Sequence, residues 1–449
     1  MSKIIHIKKG LNIKLKGKAE KVLLKAELSD KYAVKPPDFP GLTPKMLVKE
    51  GDAVKAGTAL FMDKNCPELL FVSPVSGTVE AVVRGEKRRI LEVVVKADGQ
   101  WDSEDFSNMK PSGLTKEAIT EYLLASGVWP FIRQRPYAVI AHPQDTPKSI
   151  FISCFDTAPL APDYDYIFQN ADPDFQTGID TLAKLTSGKV HLCVHADYPP
   201  AATFAKAKNV ELHEFTGPHP AGNAGVQIHH IDPVNKGDAV WYVNPQDVSI
   251  IGRLMNKGVY DVSKTIVVCG SEVSMPRYYK VTGGCRMTAF ANNVKEGNVR
   301  YISGNVLTGT HVAFDGYLGF YDSQLTVIPE GDHHEFLGWA MPGIGKYSAG
   351  RTFFSWLTPG KEFDIDTNMH GGHRALVMTG QYERVFPMDI YPEHLVKAIL
   401  AGEIEKMEQL GIYEVAEEDF ALCEFVCTSK TDVQSIIRDG INLMIKEMN

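Results

Sequence analysis

The sequence lacks any long hydrophobic run, since no window approaches the roughly 20 apolar residues that a membrane-spanning helix needs. It also lacks an excess of positive charge, because its formal net charge at pH 7 is −8. Binding to nucleic-acid phosphates or to an anionic lipid surface requires a basic face. We therefore expect no nucleic-acid partner and no membrane span in this chain, so that any membrane role comes through a partner protein.

Cysteine is scarce, with seven in 449 residues and no regular spacing. Such a pattern does not build a disulfide framework and is typical of a reducing cytoplasm. Cys423 and Cys427 lie four positions apart, but an iron–sulfur cluster needs four thiolates. The other cysteines have no companion at such a spacing: Cys66, Cys154, Cys193, Cys269 and Cys285. The sequence therefore predicts no iron–sulfur cluster.

The chain also lacks a phosphate-binding glycine loop of a recognised spacing. Its densest glycine stretch, Gly217–Gly225, follows a predicted strand, where backbone N–H groups can hold an anion or a ring. However, the stretch has neither the Gly-x-Gly-x-x-Gly spacing nor the Lys-Ser/Thr ending of a P-loop, and two prolines remove two N–H donors. A ligand-binding loop and a structural or interface loop both stay open. The candidate ligand contacts are Gly217, His219, Gly222 and Gly225.

The stretch Trp129–Pro162 combines aromatic, basic and apolar residues. It contains two short apolar runs bounded by Pro and Asp, which is typical of buried strands. A helix is predicted just before it, because Thr115 is a good N-cap and Gly127 a good stop. A helix followed by buried strands indicates the start of an α/β layer.

Residues Lys189–His195 predict a strand whose two faces differ in character. His191, Cys193 and His195 lie on one face, and three soft ligands could suggest a metal. Side chains on one face of a single strand rarely close a tetrahedron, however, and no fourth ligand is obvious. We therefore expect these residues to be structural and predict no metal site. The stretch His229–Asp232 is interpreted in the same way, as a polar strand end.

The first segment is rich in strand signals and glycine turns. Its order, Gly-Asp-x-Val-x-x-Gly at 51–57, a strand, and Pro-Val-Ser-Gly-Thr-Val at 74–79, resembles the biotinyl/lipoyl carrier domain. In that family a lysine at a hairpin tip carries the prosthetic group, and the nearest candidate here is Lys64. The family's lysine lies closer to the second turn, and the modification motif is incomplete. A flattened β-sandwich that serves only as a docking module is therefore the alternative.

After the α/β part, Lys264–Thr310 predicts a small β unit punctuated by glycine, and the chain from Gly331 mixes loops with helices. Pro392 suits a first helical position. Thr431 with Gln434 forms a capping box before an apolar pattern of helical spacing. We divide the chain into four modules: 1–105, 106–258, 259–330 and 331–449.

The fold class is α/β with additional β modules: a lipoyl-like β-sandwich, a Rossmann-like α/β domain, a small β-grasp-like (SLBB-type) domain and a mostly helical C-terminal domain. This layout resembles the flavin-bearing NADH-binding subunit of respiratory complex I and the C subunit of the Rnf electron-transport complex. The chain resembles more closely the A subunit of the Na+-translocating NADH:quinone reductase, over nearly its whole length. The segments that carry this resemblance are 129–136, 153–162, 217–222, 231–234, 246–248, 302–309, 382–390 and 417–427.

The resemblance implies a peripheral subunit on the cytoplasmic face of the bacterial inner membrane, in a complex that oxidises NADH, reduces quinone and exports Na+. The implied partners are the other subunits of that complex, including integral membrane subunits, and quinone. In the family, the flavins and iron–sulfur centres lie in the other subunits. This chain is therefore expected to bind no cofactor itself and to contain no catalytic residue.

Quinone head groups favour an apolar, aromatic cleft with one or two hydrogen-bond donors. One stretch supplies that chemistry through four residues: Trp129, Phe131, Arg133 and Arg135. The same residues could instead pack the helix against the sheet, with the arginines on a surface or interface. A function of a different class also stays open: a soluble electron-transfer enzyme with its own nicotinamide or flavin site on the Gly217–Gly225 loop.

Overall fold

The computed structural model of the chain describes residues 4–111, 113, 115–338 and 340–448. Within these residues the strands form four β-sheets, which contain seven, six, four and three strands. The first two strands of the chain pair with strands that come more than 200 residues later. The N-terminal segment therefore contributes strands to the sheets of both the second and the third module.

The N-terminal module contains two small antiparallel sheets. The first two strands of the chain, which pair with later modules, are β1 Ile5–His6 and β2 Glu20–Lys25. The strands of the two small sheets are β3 Lys31–Val34, β4 Pro44–Met46, β5 Ala53–Val54, β6 Ala59–Asp63, β7 Leu70–Val72, β8 Gly77–Arg84 and β9 Ile90–Ala97. One sheet has the order β3-β9-β8-β5 and the other the order β4-β6-β7. Phe61 and Phe71, paired across β6 and β7, are buried and stack with ring centroids 4.7 Å apart. Such cross-strand aromatic pairs stabilise small sheets.

A seven-stranded sheet forms the second module. Its elements are α1 Lys116–Ala125, β10 Arg133–Arg135, β11 Val139–Ile140, β12 Ser149–Ser153, α2 Tyr164–Ile167, α3 Pro173–Leu182, β13 Lys189–His195, α4 Ala202–Ala205, β14 Glu211–Thr216, α5 Ala224–Ile231, β15 Val240–Tyr242 and α6 Pro245–Lys257. The strand order is β1-β14-β13-β12-β15-β10-β11. In this order the neighbours from β1 to β15 are parallel, whereas β10 is antiparallel to both of its neighbours, β15 and β11.

The local predictions for this module are confirmed at its helix ends and strand faces. Thr115 accepts a hydrogen bond from Ala118 N at 3.4 Å at the start of α1. Gly127 takes a φ of +72° just after the helix, a conformation that glycine adopts without steric cost. The apolar residues of β13 belong to one core cluster, and Cys193 belongs to the cluster on the opposite face. Both faces of the sheet are therefore covered, as parallel sheets require.

The third module is a six-stranded mixed sheet. Its strands are β16 Ser263–Cys269, β17 Arg277–Thr282, β18 Val299–Ser303, β19 Thr310–Val312 and β20 Gln324–Pro329. The order is β19-β18-β20-β16-β17-β2, so that β2 forms one edge. The core of the N-terminal and second modules continues into this sheet without a break.

The C-terminal helices pack on the other face of the seven-stranded sheet. They are α7 Tyr382–Val385, α8 Pro392–Ala401, α9 Ile404–Gln409, α10 Ala421–Val426 and α11 Val433–Met448. Pro392 is the first residue of α8, as predicted. The described residues between 331 and 381 form loops and one short 3-10 turn, Phe354–Leu357. No helix of the described chain has the length and apolarity to cross a membrane.

Two local predictions are wrong. His229 and His230 form the last turn of α5 rather than a strand end, because the C-terminal helical module supplies partners there. His229 Nε2 accepts a hydrogen bond from Asp389 N at 2.9 Å, and its Nδ1 lies 2.7 Å from Glu414 Oε2. These contacts hold α5 against the C-terminal module.

The second error concerns the start of the last helix. It begins at Val433, and Asp432 Oδ1, rather than Thr431, accepts the N–H of Ser435 at 3.2 Å. Gln434 N donates to Glu424 Oε2 at 2.9 Å, so α10 also helps to cap α11. The capping group therefore lies one residue later than predicted.

Candidate functional site

Trp129 anchors the stretch of the predicted quinone-binding residues, 129–135, inside the core. It lies in a 3-10 turn that follows α1 directly, and its side chain is fully buried. The indole Nε1 donates to Ala141 O at 2.7 Å, and the ring packs edge-to-face on Trp241 with centroids 5.5 Å apart. Trp129 therefore fixes the entry into β10 and has no free polar atom to offer a ligand.

Phe131 lies where three modules meet. Its ring stacks on Phe320 of the third module with centroids 4.5 Å apart and an interplanar angle of 24°. Phe320 in turn packs against Phe39 of the N-terminal module at 4.9 Å. We call the group formed by Phe39, Phe131, Arg133, Tyr242, Phe320 and Tyr321 the junction cluster.

Arg133 lies between two tyrosine rings of the junction cluster. Its Cζ lies 4.5 Å from the ring centroid of Tyr242 and 4.4 Å from that of Tyr321, which are cation–π distances. One guanidinium nitrogen donates to Asn244 Oδ1 at 3.2 Å, whereas Nε is buried without a hydrogen-bond partner among the described residues. Tyr321 Oη donates to Pro130 O at 2.7 Å. The cluster therefore contains one buried donor that is not used.

Arg135 forms a buried ion pair with the C-terminal module. Its guanidinium donates to Asp419 Oδ2 at 3.0 Å and to Glu418 Oε1 at 2.8 Å. The side chains of Arg135 and Asp419 are 0% and 1% exposed. Burial alone would lower the pKa of Arg135, but the negative charges of Asp419 and Glu418 outweigh it and raise the pKa. Arg135 is therefore a permanent cation that joins the sheet to the C-terminal helices.

The Gly217–Gly225 stretch connects β14 to α5 and includes the first two residues of that helix, and its glycines lie against other parts of the chain. Gly217 lies against Ile7, just after β1. A Cβ on Gly222 would lie 2.7 Å from Thr157 N, and one on Gly225 would lie 2.6 Å from a carboxylate oxygen of Asp419. The glycines of this loop therefore permit close approaches within the protein.

His219 is the buried imidazole of that loop. Burial lowers its pKa to about 4, so it is neutral at pH 7. Its Nδ1 lies 3.1 Å from Thr157 Oγ1, and the same hydroxyl accepts the N–H of Gly222 at 3.0 Å. The Thr157 hydroxyl therefore hydrogen-bonds both the imidazole and the backbone of the glycine loop, which fixes the segment after β12 to that loop.

Space at the junction cluster is small. A cavity of about 20 Å³ lies beside Phe131 and Phe320, with Lys35, Asp38 and Lys264 also in its wall. One water needs roughly 10–15 Å³ of such volume. The cavity therefore accommodates about one water and is too small for a quinone ring.

A much larger groove of about 660 Å³ lies between the N-terminal module and the third module. Its wall is mainly apolar and contains Leu23 and Leu28 from β2 and its continuation, Tyr32, Trp101, and Phe290. Ligand sites typically measure about 300–1,000 Å³. This groove was not predicted from the sequence. The only sequence signal for it is the apolar run on β2, and only the tertiary structure shows that β2 pairs with β17 of the third module.

The remaining candidates are separate from one another. Lys64 is exposed on the turn between β6 and β7, where its N–H donates to Thr43 O at 2.9 Å. Cys423 is fully buried, which raises the pKa of its thiol. Cys427 Sγ accepts a hydrogen bond from Tyr382 Oη at 3.0 Å. In the described part of the chain, no group of three ligand-type side chains includes a cysteine.

Three domain models of the NqrA family match the chain: the NqrA N-terminal barrel-sandwich hybrid domain at residues 5–98, the NqrA second alpha/beta domain at 114–260, and the NQRA C-terminal domain at 265–313. The A subunit of the Na(+)-translocating NADH-quinone reductase from Pasteurella multocida (strain Pm70) is 40% identical over 449 residues, which cover 99% of this chain and 100% of the relative. The chain belongs to this NqrA family. The sheets of residues 5–313 fit these three domain models, and a helical C-terminal region follows them.

Other NqrA members show the same full-length similarity. The A subunit from Yersinia pestis is 40% identical over 448 residues, and that from Neisseria meningitidis serogroup A is 39% identical over 452 residues. In both cases 99% of this chain and 100% of the relative are covered. A solved chain described as NAD+-reducing [NiFe]-hydrogenase matches with a TM-score of 0.39 and 13% identity, over 76% of this chain and 64% of that chain.

Proposed function

We propose that this chain is the peripheral NqrA subunit of a membrane complex that oxidises NADH, reduces quinone and exports Na+, and that it lies on the cytoplasmic face of the bacterial inner membrane. The observation that carries the proposal is the identity of 40% over the whole length of a named NqrA relative. Its partners are the other subunits of the complex, including integral membrane subunits. Its own contribution is structural and quinone-associated rather than catalytic.

The finer fold assignments belong to the same proposal. Among β12 to β15 the sheet order is β14-β13-β12-β15, which is the order of the first four strands of a dinucleotide-binding fold. The two antiparallel sheets of the N-terminal module support a lipoyl-like β-sandwich, and the small mixed sheet of the third module supports a β-grasp-like domain of SLBB type. Lys64 is assigned no carrier role, because its turn lacks a complete modification motif.

A further part of the proposal is that the chain binds no redox cofactor. In a parallel α/β sheet, ligands bind at the carboxyl ends of the strands where the strand order reverses, here beyond β12 and β15. Residues of the third module lie against that crevice. Gln324 Nε2 donates to Pro159 O at 3.1 Å after β12, and Gln246 Nε2 donates to Thr265 O at 2.8 Å after β15. This filling of the crevice supports a subunit that has kept an enzyme-like sheet without its ligand site.

The purified full-length chain is accordingly expected to show no visible absorption band and no heat of binding with NADH or FMN. Absorption spectroscopy and titration calorimetry measure the two quantities directly, and the intact complex, which contains flavins, is the positive control for the spectrum. A stoichiometric flavin band in the isolated chain, or micromolar NADH binding at the Gly217–Gly225 loop, would establish the electron-transfer enzyme instead. Gly222→Val is unsuitable as a control because its side chain would collide with Thr157.

An exposed apolar segment supports docking on the membrane subunits. Between residues 336 and 378 many large hydrophobic side chains are exposed, among them Phe336 at 92% and Ile344 at 73%. These side chains are clustered in sequence, and clustered exposed apolar side chains mark interaction sites. We assign the segment to the interface with integral membrane partners, which would hold the chain at a membrane although no helix of its described residues can cross one.

The double variant Phe336→Ser/Ile344→Ser is expected to leave the membrane fraction. Burial of these two side chains in the proposed interface would contribute about 3 kcal/mol in total to binding, so their loss should weaken binding roughly 100-fold. The measurement is the share of the chain that sediments with membranes. The matched control is Leu400→Ser, at a side chain that is 58% exposed on α8, and it should sediment like the wild type. Unchanged sedimentation of the double variant would contradict this assignment.

For the quinone we propose the groove between the N-terminal and third modules rather than the junction cluster. Trp129, Phe131, Arg133 and Arg135 offer suitable chemistry, but their polar atoms mostly contact protein and the space beside them is small. The groove offers apolar walls and sufficient volume. Photo-crosslinking of the intact complex with a quinone analogue is expected to label the peptides that contain Leu23 or Trp101. Labelling at Trp129–Arg135 would favour the junction cluster, and labelling confined to other subunits would contradict both sites.

A further inference from the structure

Two neighbouring strands bring together side chains that are distant in sequence. His191 lies on β13, and Glu211 and His213 lie on β14. The strands are parallel, with His191 paired to Glu211 and Cys193 paired to His213. Paired residues point to the same face of a sheet, and so do residues two apart on one strand. All three ligand-type side chains therefore lie on one face.

The distances between their ligand atoms are short. His191 Nδ1 lies 2.9 Å from His213 Nε2, and one ligand atom from each of the three residues lies within 4.8 Å of the other two. A tetrahedral zinc ion with bonds of roughly 2.0–2.2 Å separates its ligand atoms by about 3.3 Å. The 2.9 Å between the two imidazole nitrogens is about 0.4 Å shorter than that separation.

We propose that His191, Glu211 and His213 form a binding site for a divalent transition-metal cation of the zinc type. Two imidazole nitrogens and one carboxylate oxygen are a ligand set that suits Zn²⁺, with a water molecule in the fourth position. Glu211 Oε2 contacts Lys189 Nζ at 2.5 Å, which leaves the second carboxylate oxygen for the metal. Glu211 and His213 are only half-buried, so a cation can enter from solvent.

A neighbouring aromatic ring holds one of the two imidazoles in place. The ring of Phe151 packs against His191 with centroids 4.7 Å apart and limits its rotation.

The position of the site indicates a structural rather than a catalytic role. Glu211 is the first residue of β14 and His191 the third residue of β13, so the site lies near the amino ends of the parallel strands. The crevice filled by the third module lies at the opposite ends. A metal here would join β13 to β14 and stabilise the sheet by binding the folded state alone.

Calorimetric titration of Zn²⁺ into the chelator-treated full-length chain tests the proposal. Mg²⁺, a cation that prefers oxygen ligands, is titrated as the negative control. We expect one equivalent of Zn²⁺ to bind and Co²⁺ to give a visible absorption band at the same site. Even outer partners of zinc sites contribute roughly 10–100-fold to affinity, so loss of a direct ligand in His213→Gln or Glu211→Gln should weaken binding about 100-fold or more. His195→Gln is the matched control, since His195 lies on the same strand as His191 but stacks on Tyr198.

The substituted side chains are half-buried, so each variant is expected to retain the circular dichroism spectrum of the wild type. Binding that is weakened in both variants but retained in His195→Gln supports the site. Failure of the wild-type chain to bind Zn²⁺ would overturn the proposal. Binding that persists in His213→Gln and Glu211→Gln, or that is weakened equally in His195→Gln, would also overturn it.

Discussion

Replacing Arg135 with methionine is expected to lower the free energy of unfolding by about 3–5 kcal/mol. Arg135 is fully buried, and its partner Asp419 is 2% exposed. Methionine occupies much of the space of the arginine stem but leaves the carboxyl group of Asp419 without its cation. Burial already raises the pKa of Asp419 to about 6, and loss of the arginine raises it further. Equilibrium urea unfolding of the full-length chain, followed by circular dichroism, measures the effect.

Two variants separate the buried pair from unspecific effects of charge removal. Lys21→Met removes an ion pair with Asp163 in which the lysine side chain is 60% exposed, and it is expected to cost less than about 1 kcal/mol. Arg135→Met combined with Asp419→Asn removes both charges but keeps an acceptor for Ala416 N, so part of the lost stability should return. An Arg135→Met loss as small as that of Lys21→Met would contradict the expectation.

Replacing Phe131 with alanine is expected to lower the free energy of unfolding by about 3–5 kcal/mol. The ring is 3% exposed and stacks on Phe320, which contacts Phe39. Its removal therefore leaves a cavity where three modules meet. Because the modules would separate more easily, limited proteolysis should cut the connections between them faster, and urea unfolding should shift to lower concentration.

The control for this substitution is Phe314→Ala. Phe314 also belongs to the third module, but its side chain is 52% exposed, so its loss is expected to change stability by about 0.5 kcal/mol or less. Phe131→Leu should lie between the two, since leucine refills part of the cavity. Equal losses for Phe131→Ala and Phe314→Ala would mean that the stacked rings at the junction do not stabilise the chain.

Local signals predicted much of the secondary structure because they act within one turn of the chain. Thr115 caps α1, Pro392 begins α8, and the alternation in Lys189–His195 places its apolar residues on one face. The error at His229 lies where the contacts come from loops that are distant in sequence, and at α11 the cap moves one residue to Asp432, with Glu424 of α10 as a second partner. His229 contacts Glu414 and Asp389, which no local pattern connects to it.

By itself the sequence indicated most of the elements, the mixture of sheets with a helical C-terminal region, and the family, because periodicity, turn residues and collinear motifs are all properties of the chain order. Only the tertiary structure decided where the candidate residues lie. It placed Arg135 against Asp419, set Gln324 of the third module against Pro159 after β12, and brought His213 beside His191. The physical reason is that burial, ion pairing and ligand geometry depend on which strands and helices become neighbours, and strand order is set by packing of the whole sheet.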